Sequence, residues 1–297
     1  MKVLQRKTAA DFDQRLLDLY DEYCHGLIDR REFASGVSKF AVAGVSTGAL
    51  IEMLLPNYAL AEQIKPDDPR IKVEKISYAS PKGYGSTKAL LARPSSGGRH
   101  GSVVVVHENR GLNPYIEDVA RRLAVAGYNA LAPDGLTSLG GYPGDDDKGR
   151  DMQATLDSGK LLQDFVAAYE WLKADASTTG KIGVVGFCFG GSITNQMAVL
   201  LPELSAAVPY YGAAPKDEDV SKIVAPLMIH HAQLDTRLME QLPGFEASLK
   251  AHGKNYQAFV YQKANHGFHN DTTPRYDKAA AELSWDRTLS FFGKYLA

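Results

Sequence analysis

From Ile71 onward the chain alternates apolar, β-branched runs with longer amphipathic stretches. Runs 71–78 and 88–93, joined by the Gly-rich turn 81–85, predict an antiparallel hairpin at a sheet edge. Residues 102–107 form a continuous apolar run, as expected of a strand covered on both faces, and 116–126 follows at helical spacing. The same reading predicts a strand over 129–132 stopped by Pro133, a Gly-rich loop over 135–149, a helix over 161–173 and a buried strand over 181–186. After these come a helix over 191–200, strands over 206–211 and 227–231, a helix over 239–252, a strand over 256–261 and a closing helix over 276–295. Strands alternating with helices at this spacing imply an α/β fold, a mostly parallel sheet with helices on both faces. In such sheets the functional site lies beyond the carboxyl ends of the strands, so candidate residues are sought just after each strand.

The first 64 residues have a different character. Within 11–34, Phe12, Leu16, Leu19 and Tyr23 recur at helical spacing among charges and predict an amphipathic helix. Arg30 and Arg31 precede a moderately apolar stretch from Phe40 to Leu60, and Ala59-Leu60-Ala61 fits a small-x-small cleavage site. This arrangement resembles a twin-arginine export signal, which would place the protein in the periplasm. Lys39, Glu52 and an acidic leader run against it. The favoured alternative is a cytoplasmic protein whose helices within 11–61 stay attached, packing on the main domain or on a second subunit as the arm of a homodimer. Glu52 and Pro56 leave fewer apolar residues than the roughly 20 a bilayer core needs, so no stable membrane insertion is expected. Lys65-Pro66-Asp67-Asp68-Pro69 reads as a linker, dividing the chain into a helical extension over 1–64 and a catalytic domain over 65–297.

Composition narrows the function. A chain of 297 residues, 44% hydrophobic and 23% charged, is an ordinary globular protein long enough for a full core. Lys+Arg 33 against Asp+Glu 35 leave no positive field to hold nucleic acid. A small-molecule substrate is the remaining partner class. With Cys24 and Cys188 the only cysteines, neither a disulfide framework nor a Cys-based metal site is expected. The spacing of the histidines and carboxylates suggests no metal or other cofactor.

The chemistry concentrates in Gly186-Phe187-Cys188-Phe189-Gly190-Gly191, which follows a buried strand and opens a helix. That is the setting of a nucleophile elbow, with Cys in place of Ser. The helix N-terminus behind Cys188 favours the thiolate. A thiol nucleophile needs a base, and the base an orienting acid. Asp235 follows strand 227–231 and His266 follows strand 256–261, which satisfies the hydrolase order of nucleophile, acid and His. His230 and His231 at a strand end read as structural histidines satisfied by neighbours, His269 falls off that order, and His107 ends a strand. Glu108 and Asn109 lie after strand 102–106, where this fold completes its oxyanion hole, so the amides of Asn109 and Phe189 are the expected donors. Cys24 reads as a small buried apolar residue.

Over residues 70–297 the chain resembles the dienelactone hydrolase (carboxymethylenebutenolidase) family of α/β-hydrolases. The resemblance rests on the Cys elbow, the Glu108 loop running on through Gly-Leu-Asn-Pro-Tyr-Ile-Glu-Asp-Val-Ala-Arg-Arg-Leu, Asp235, Asn-His-Gly-Phe at 265–268 and the closing Trp285-Asp-Arg-Thr-Leu-Ser-Phe-Phe292. It implies an ester or lactone hydrolase with a Cys188-His266-Asp235 triad. It also implies a glutamate at Glu108 that holds the resting thiol and helps release its proton. The type enzyme of the family holds a substrate carboxylate with a serine just after the His and an arginine shortly beyond. Here those places carry Gly267 and Asn270. Arg150 and Tyr142, in the loop before the next helix, are the candidate substrate contacts. The rival functions are a thiol redox sensor and a non-catalytic ligand-binding module on the same fold.

Overall fold

The computed structural model describes residues 7–41 and 45–297. Eight strands form one sheet in the order β1-β2-β4-β3-β5-β6-β7-β8. They are β1 (Ile71–Ser80), β2 (Gly85–Pro94), β3 (His100–Val106), β4 (Asn129–Pro133), β5 (Thr178–Phe187), β6 (Ala206–Tyr210), β7 (Leu227–Ala232) and β8 (Tyr256–Tyr261). The predicted hairpin is there: β1 pairs antiparallel with β2, and β2 antiparallel with β4. From β4 through β8 every pairing is parallel.

The valine run of β3 shows why such a strand is apolar throughout. Val103 and Val105 enter one core with Ile116, Val119 and Leu123 of helix α5 (Pro114–Val125) and with Phe291 and Phe292 of the closing helix. Val104 and Val106 point the other way, into a second core with Leu161 and Phe165 and with Ile193 and Met197. Alternate side chains cross to opposite faces, and both faces are covered by helices. Each fully buried Val stabilises the fold by roughly 1.5–3 kcal/mol.

Two expected elements differ. The single helix expected over 11–34 is two helices, α1 (Gln14–Cys24) and α2 (Arg30–Ser38). The break falls at Gly26, whose φ of 71° lies in the left-handed region. The second helix restarts at a reciprocal capping box in which Asp29 accepts from Glu32 N and Glu32 returns the bond to Asp29 N. Hydrophobic periodicity carries through the break because both helices bury their apolar faces in one small core, made of Leu16, Leu17, Tyr20, Tyr23, Phe33, Val37 and Leu54 of helix α3 (Thr47–Leu54). The second difference is in the glycine loop, where α6 (Asp146–Ala154) forms under the N-cap of Asp145. A short helix, α4 (Tyr58–Ala61), lies over the small-x-small motif. Residues 42–44 of the apolar stretch and the side chain of Leu60 lie outside what is described. No helix among the described residues is long and apolar enough to cross a membrane.

The N-terminal helices are fastened to the sheet domain by polar contacts. Tyr23 of α1 donates its hydroxyl to Asp147, Gln14 donates to Asn265 at 2.6 Å, and Arg275 pairs with Asp21 at 2.5 Å. Asn57 N donates to the Thr272 carbonyl at 2.8 Å, and Tyr58 donates to Asp146. The extension therefore lies across the ends of the strands where the site was sought.

Candidate active site

Cys188 sits between β5 and helix α8 (Phe189–Leu200) at φ 57° and ψ −116°, a conformation L-residues rarely adopt. The turn is enforced from both sides. A Cβ on Gly186 would stand 2.1 Å from the Gly190 carbonyl oxygen, and one on Gly190 would stand 2.3 Å from the Val106 carbonyl. Only glycine fits at either place, and the close approach pushes the Cys188 thiol out above the sheet. The Phe189 amide opens α8, so it belongs to the first turn that lacks intrahelical acceptors. Asn109 lines the same cavity as Cys188, and its side chain donates to the Cys24 carbonyl at 2.9 Å.

Asp235 is the N-cap of helix α10 (Thr236–Ala251), just beyond β7. Its Oδ2 lies 2.5 Å from His266 Nδ1, and both residues are buried. β7 and β8 are neighbours in parallel register, so the loops after them place acid and base side by side. His266 Nε2, turned toward Cys188, has no hydrogen-bond partner among the described residues. The thiol also meets a second histidine. Cys188 Sγ lies 3.6 Å from Nε2 of His25, a residue 163 positions earlier that follows α1. His25 Nδ1 is held by the Asp21 carbonyl at 2.8 Å and its carboxylate at 3.2 Å. Cys188 is thus bracketed by two acid–histidine pairs.

These charges set one another. Burial works to raise the Cys188 thiol, but His266 and His25 outweigh it and hold it well below the usual thiol range. Burial works to lower His25, and the Cys188 thiolate and Asp21 push it up to about 11. His266 is raised to about 9 against the same burial, by Cys188, Asp21 and Asp235. Glu108 is pushed up to about 7, first by burial and then by Cys188.

Glu108 reaches the cavity but is bonded to Asn270, whose Nδ2 donates to its Oε2 at 2.9 Å. The two substrate contacts expected from the loop do not border this cavity. Arg150 donates to the Tyr23 carbonyl at 3.0 Å, pairs with Asp147 and lies over the Tyr23 ring, so its task is to hold the N-terminal arm. Tyr142 is two residues removed: it donates to Asp146 at 2.8 Å, and Asp146 in turn pairs with Arg110. The guanidiniums that do line the cavity are those of Arg110 and Arg275. Arg275 reaches back over Gly267, close to where the arginine replaced by Asn270 was expected. The sequence had no signal for either: Arg275 is turned back over Gly267 by a loop without regular periodicity, and His25 arrives only when the N-terminal helices dock. Cys24, also lining the cavity, is buried with Arg275 Nη2 3.9 Å from its sulfur. Of the other histidines, His230 bonds Tyr261 and Thr288, His269 bonds Tyr115 and His107 accepts from Gly135 N, whereas the buried Nδ1 of His231 has no hydrogen-bond partner among the described residues, contrary to the expectation that neighbours satisfy it.

A strained elbow on a mostly parallel, helix-covered sheet, with an Asp–His pair after β7 and β8, defines an α/β-hydrolase. The chain belongs to the dienelactone hydrolase family, whose sequence profile matches residues 87–296. Residues 4–41 match a separate profile, YqhI-like. An Escherichia coli K12 chain assigned as the hydrolase fragment YghX is 61% identical over 110 residues, covering 37% of this chain and 94% of its own. A Bradyrhizobium protein assigned as a 2-oxo-3-(5-oxofuran-2-ylidene)propanoate lactonase is 32% identical over 227 residues, covering 71% of this chain and 90% of its own. Among solved structures, a Klebsiella pneumoniae protein assigned to the dienelactone hydrolases superposes with a TM-score of 0.68 at 27% identity, covering 76% of this chain and 99% of that one. The protein is a dienelactone hydrolase-like hydrolase of the ester and lactone type.

Proposed function

We propose that the chain cleaves small esters or lactones by acyl transfer through Cys188. The observation that carries this reading is the strained thiol at the elbow with the buried Asp235–His266 pair beside it, the ligand atoms of Cys188 and His266 lying within 4.8 Å. The Cys188 thiolate attacks the carbonyl carbon, and the amides of Asn109 and Phe189 hold the resulting oxyanion. Collapse breaks the ester C–O bond, and the His266 imidazolium gives its proton to the leaving alkoxide. For a lactone, that alkoxide stays tethered to the acyl group. Neutral His266 then takes a proton from water, the hydroxide attacks the thioester, and the carboxylic acid leaves as the thiolate is restored. Asp235 holds the tautomer and stabilises the imidazolium. Before the first attack Glu108, which lines the same cavity, takes the proton of the resting thiol while His266 is already the imidazolium, and it returns that proton when the site comes to rest.

The cavity leaves about 10 Å³ for the centre of a water-sized sphere, room for about one water. Substrate therefore enters when the N-terminal arm lifts. Lifting it separates Asp21 from Arg275, freeing one of the two lining guanidiniums for a carboxylate on the substrate, which favours carboxylate-bearing lactones. The test is turnover of a panel of p-nitrophenyl esters, neutral lactones and carboxylate-bearing lactones by wild type and Cys188→Ala, with iodoacetamide labelling alongside. Turnover lost in Cys188→Ala is the expected result. Full turnover without the thiol overturns the mechanism. A labelled thiol with no turnover on any member of the panel favours redox sensing.

A further inference from the structure

Beyond the hydrolytic reading, and without depending on it, the geometry points to a three-ligand site for a zinc-class divalent metal formed by Cys188 Sγ, His25 Nε2 and His266 Nε2. The three donor atoms lie within 4.8 Å of one another. A tetrahedral zinc with ordinary bond lengths needs sulfur–nitrogen edges of about 3.6 Å and nitrogen–nitrogen edges of about 3.3 Å. The Cys188–His25 separation is 3.6 Å. Drawing in the remaining donors requires closure of at most about 1.5 Å, within the reach of side-chain rotations. One thiolate with two imidazoles is a donor set suited to zinc rather than to magnesium or calcium.

Two further observations single this cluster out from an ordinary Cys–His contact. His266 Nε2 is buried, faces the shared centre and has no hydrogen-bond partner among the described residues. Both imidazoles are also braced from behind by carboxylates at Nδ1, Asp235 on His266 at 2.5 Å and Asp21 on His25 at 3.2 Å. Such bracing fixes the tautomer that turns the Nε2 lone pair inward and raises its basicity as a ligand. The fourth position opens onto the small cavity, which has room for a water beside Glu108. One group opposes the site: Arg237 Nη2 lies 3.4 Å from His25 Nε2. Arg237 is exposed, so its guanidinium can swing into solvent as the metal enters.

Occupation replaces the S–H bond with a sulfur–metal bond, the proton leaving to solvent, and engages the nitrogen the hydrolytic cycle would use as base. It also ties the N-terminal arm to both strand-end loops through His25. A bound metal would therefore silence the nucleophile and latch the arm shut at once.

Cobalt(II) titration of the full-length, chelator-treated protein tests this, because tetrahedral cobalt bound to thiolate gives visible d–d bands and a near-ultraviolet sulfur-to-metal band. Both are expected in wild type and in Cys24→Ser, the sulfur band is expected to vanish in Cys188→Ser, and affinity is expected to fall at least tenfold in His25→Ala. Asp21→Asn, which leaves all three ligands in place, is expected to weaken binding by a smaller factor and guards against misfolding of His25→Ala. A sulfur band that follows Cys24, no sulfur band in wild type, or unchanged affinity in both His25→Ala and Asp21→Asn overturns the site. Cobalt binding through Cys188 in a protein that cleaves no ester keeps this inference and sinks the hydrolytic reading; ester cleavage without the sulfur band does the reverse.

Discussion

His25 Nε2, from the N-terminal extension, stands 3.6 Å from Cys188 Sγ at the elbow. The contact joins the N-terminal helices to the Cys188 elbow. It means that access to the thiol depends on how firmly those helices are held.

That dependence can be tested without touching the catalytic centre. Arg150 holds α1 through the Tyr23 carbonyl and ring. Removing a partly exposed cation–π contact with its ion pair costs about 1 kcal/mol, roughly a fivefold gain in the open population. Arg150→Ala is therefore expected to be cut faster by protease within residues 27–66 and to alkylate at Cys188 about fivefold faster. Unchanged rates for both would show that the arm is not gating the thiol.

Asp235→Asn keeps the shape of the acid but removes its charge and favours the wrong tautomer of His266. With the Asp–His contact at 2.5 Å and both groups buried, turnover is expected to fall about 10³-fold or more. KM and melting temperature should change little, since Asn remains an adequate cap for α10. A loss of less than tenfold in single-turnover rate would remove Asp235 from the triad.

The elbow glycine is a stability test. A Cβ on Gly186 meets the Gly190 backbone oxygen at 2.1 Å, and neither backbone can yield without displacing β5 or α8. Gly186→Ala is expected to cost about 3 kcal/mol or more, lowering the melting temperature by about 6 °C or more. Gly85→Ala is the contrast, because its φ of 88° strains the turn but nothing lies within 4 Å of the added carbon. It should cost about 1–2 kcal/mol. Equal losses in calorimetry would refute the packing argument.

Arg122 tests the buried charge network beneath the arm. Its guanidinium bonds Asp118 and Asp271, all three residues being buried. Arg122→Ala leaves these carboxylates poorly compensated and is expected to destabilise by about 3–5 kcal/mol in urea unfolding. The triple variant Arg122→Met, Asp118→Asn, Asp271→Asn is expected to regain most of that. Failure to regain it would mean that Arg122 acts mainly through packing.

By itself the sequence determined the α/β alternation, the edge hairpin and the identity and order of Cys188, Asp235 and His266, since each of these is a local matter. Strand and helix periods are written in neighbouring residues, and an elbow needs only its two glycines and a buried strand before it. The break at Gly26 stayed hidden because both helices face the same core, so the periodicity ran on unbroken. Tertiary structure alone decided the rest: Arg275 folding back over Gly267, Arg150 and Tyr142 bracing the arm and Asp146 rather than meeting the cavity, and His25 arriving at the thiol. The Arg150 and His25 contacts depend on how a separate helical layer docks across the strand ends, whereas those of Arg275 and Tyr142 are made by turns within the main domain. No spacing within the chain encodes that docking, because it is set by complementary polar surfaces that meet only once both parts have folded.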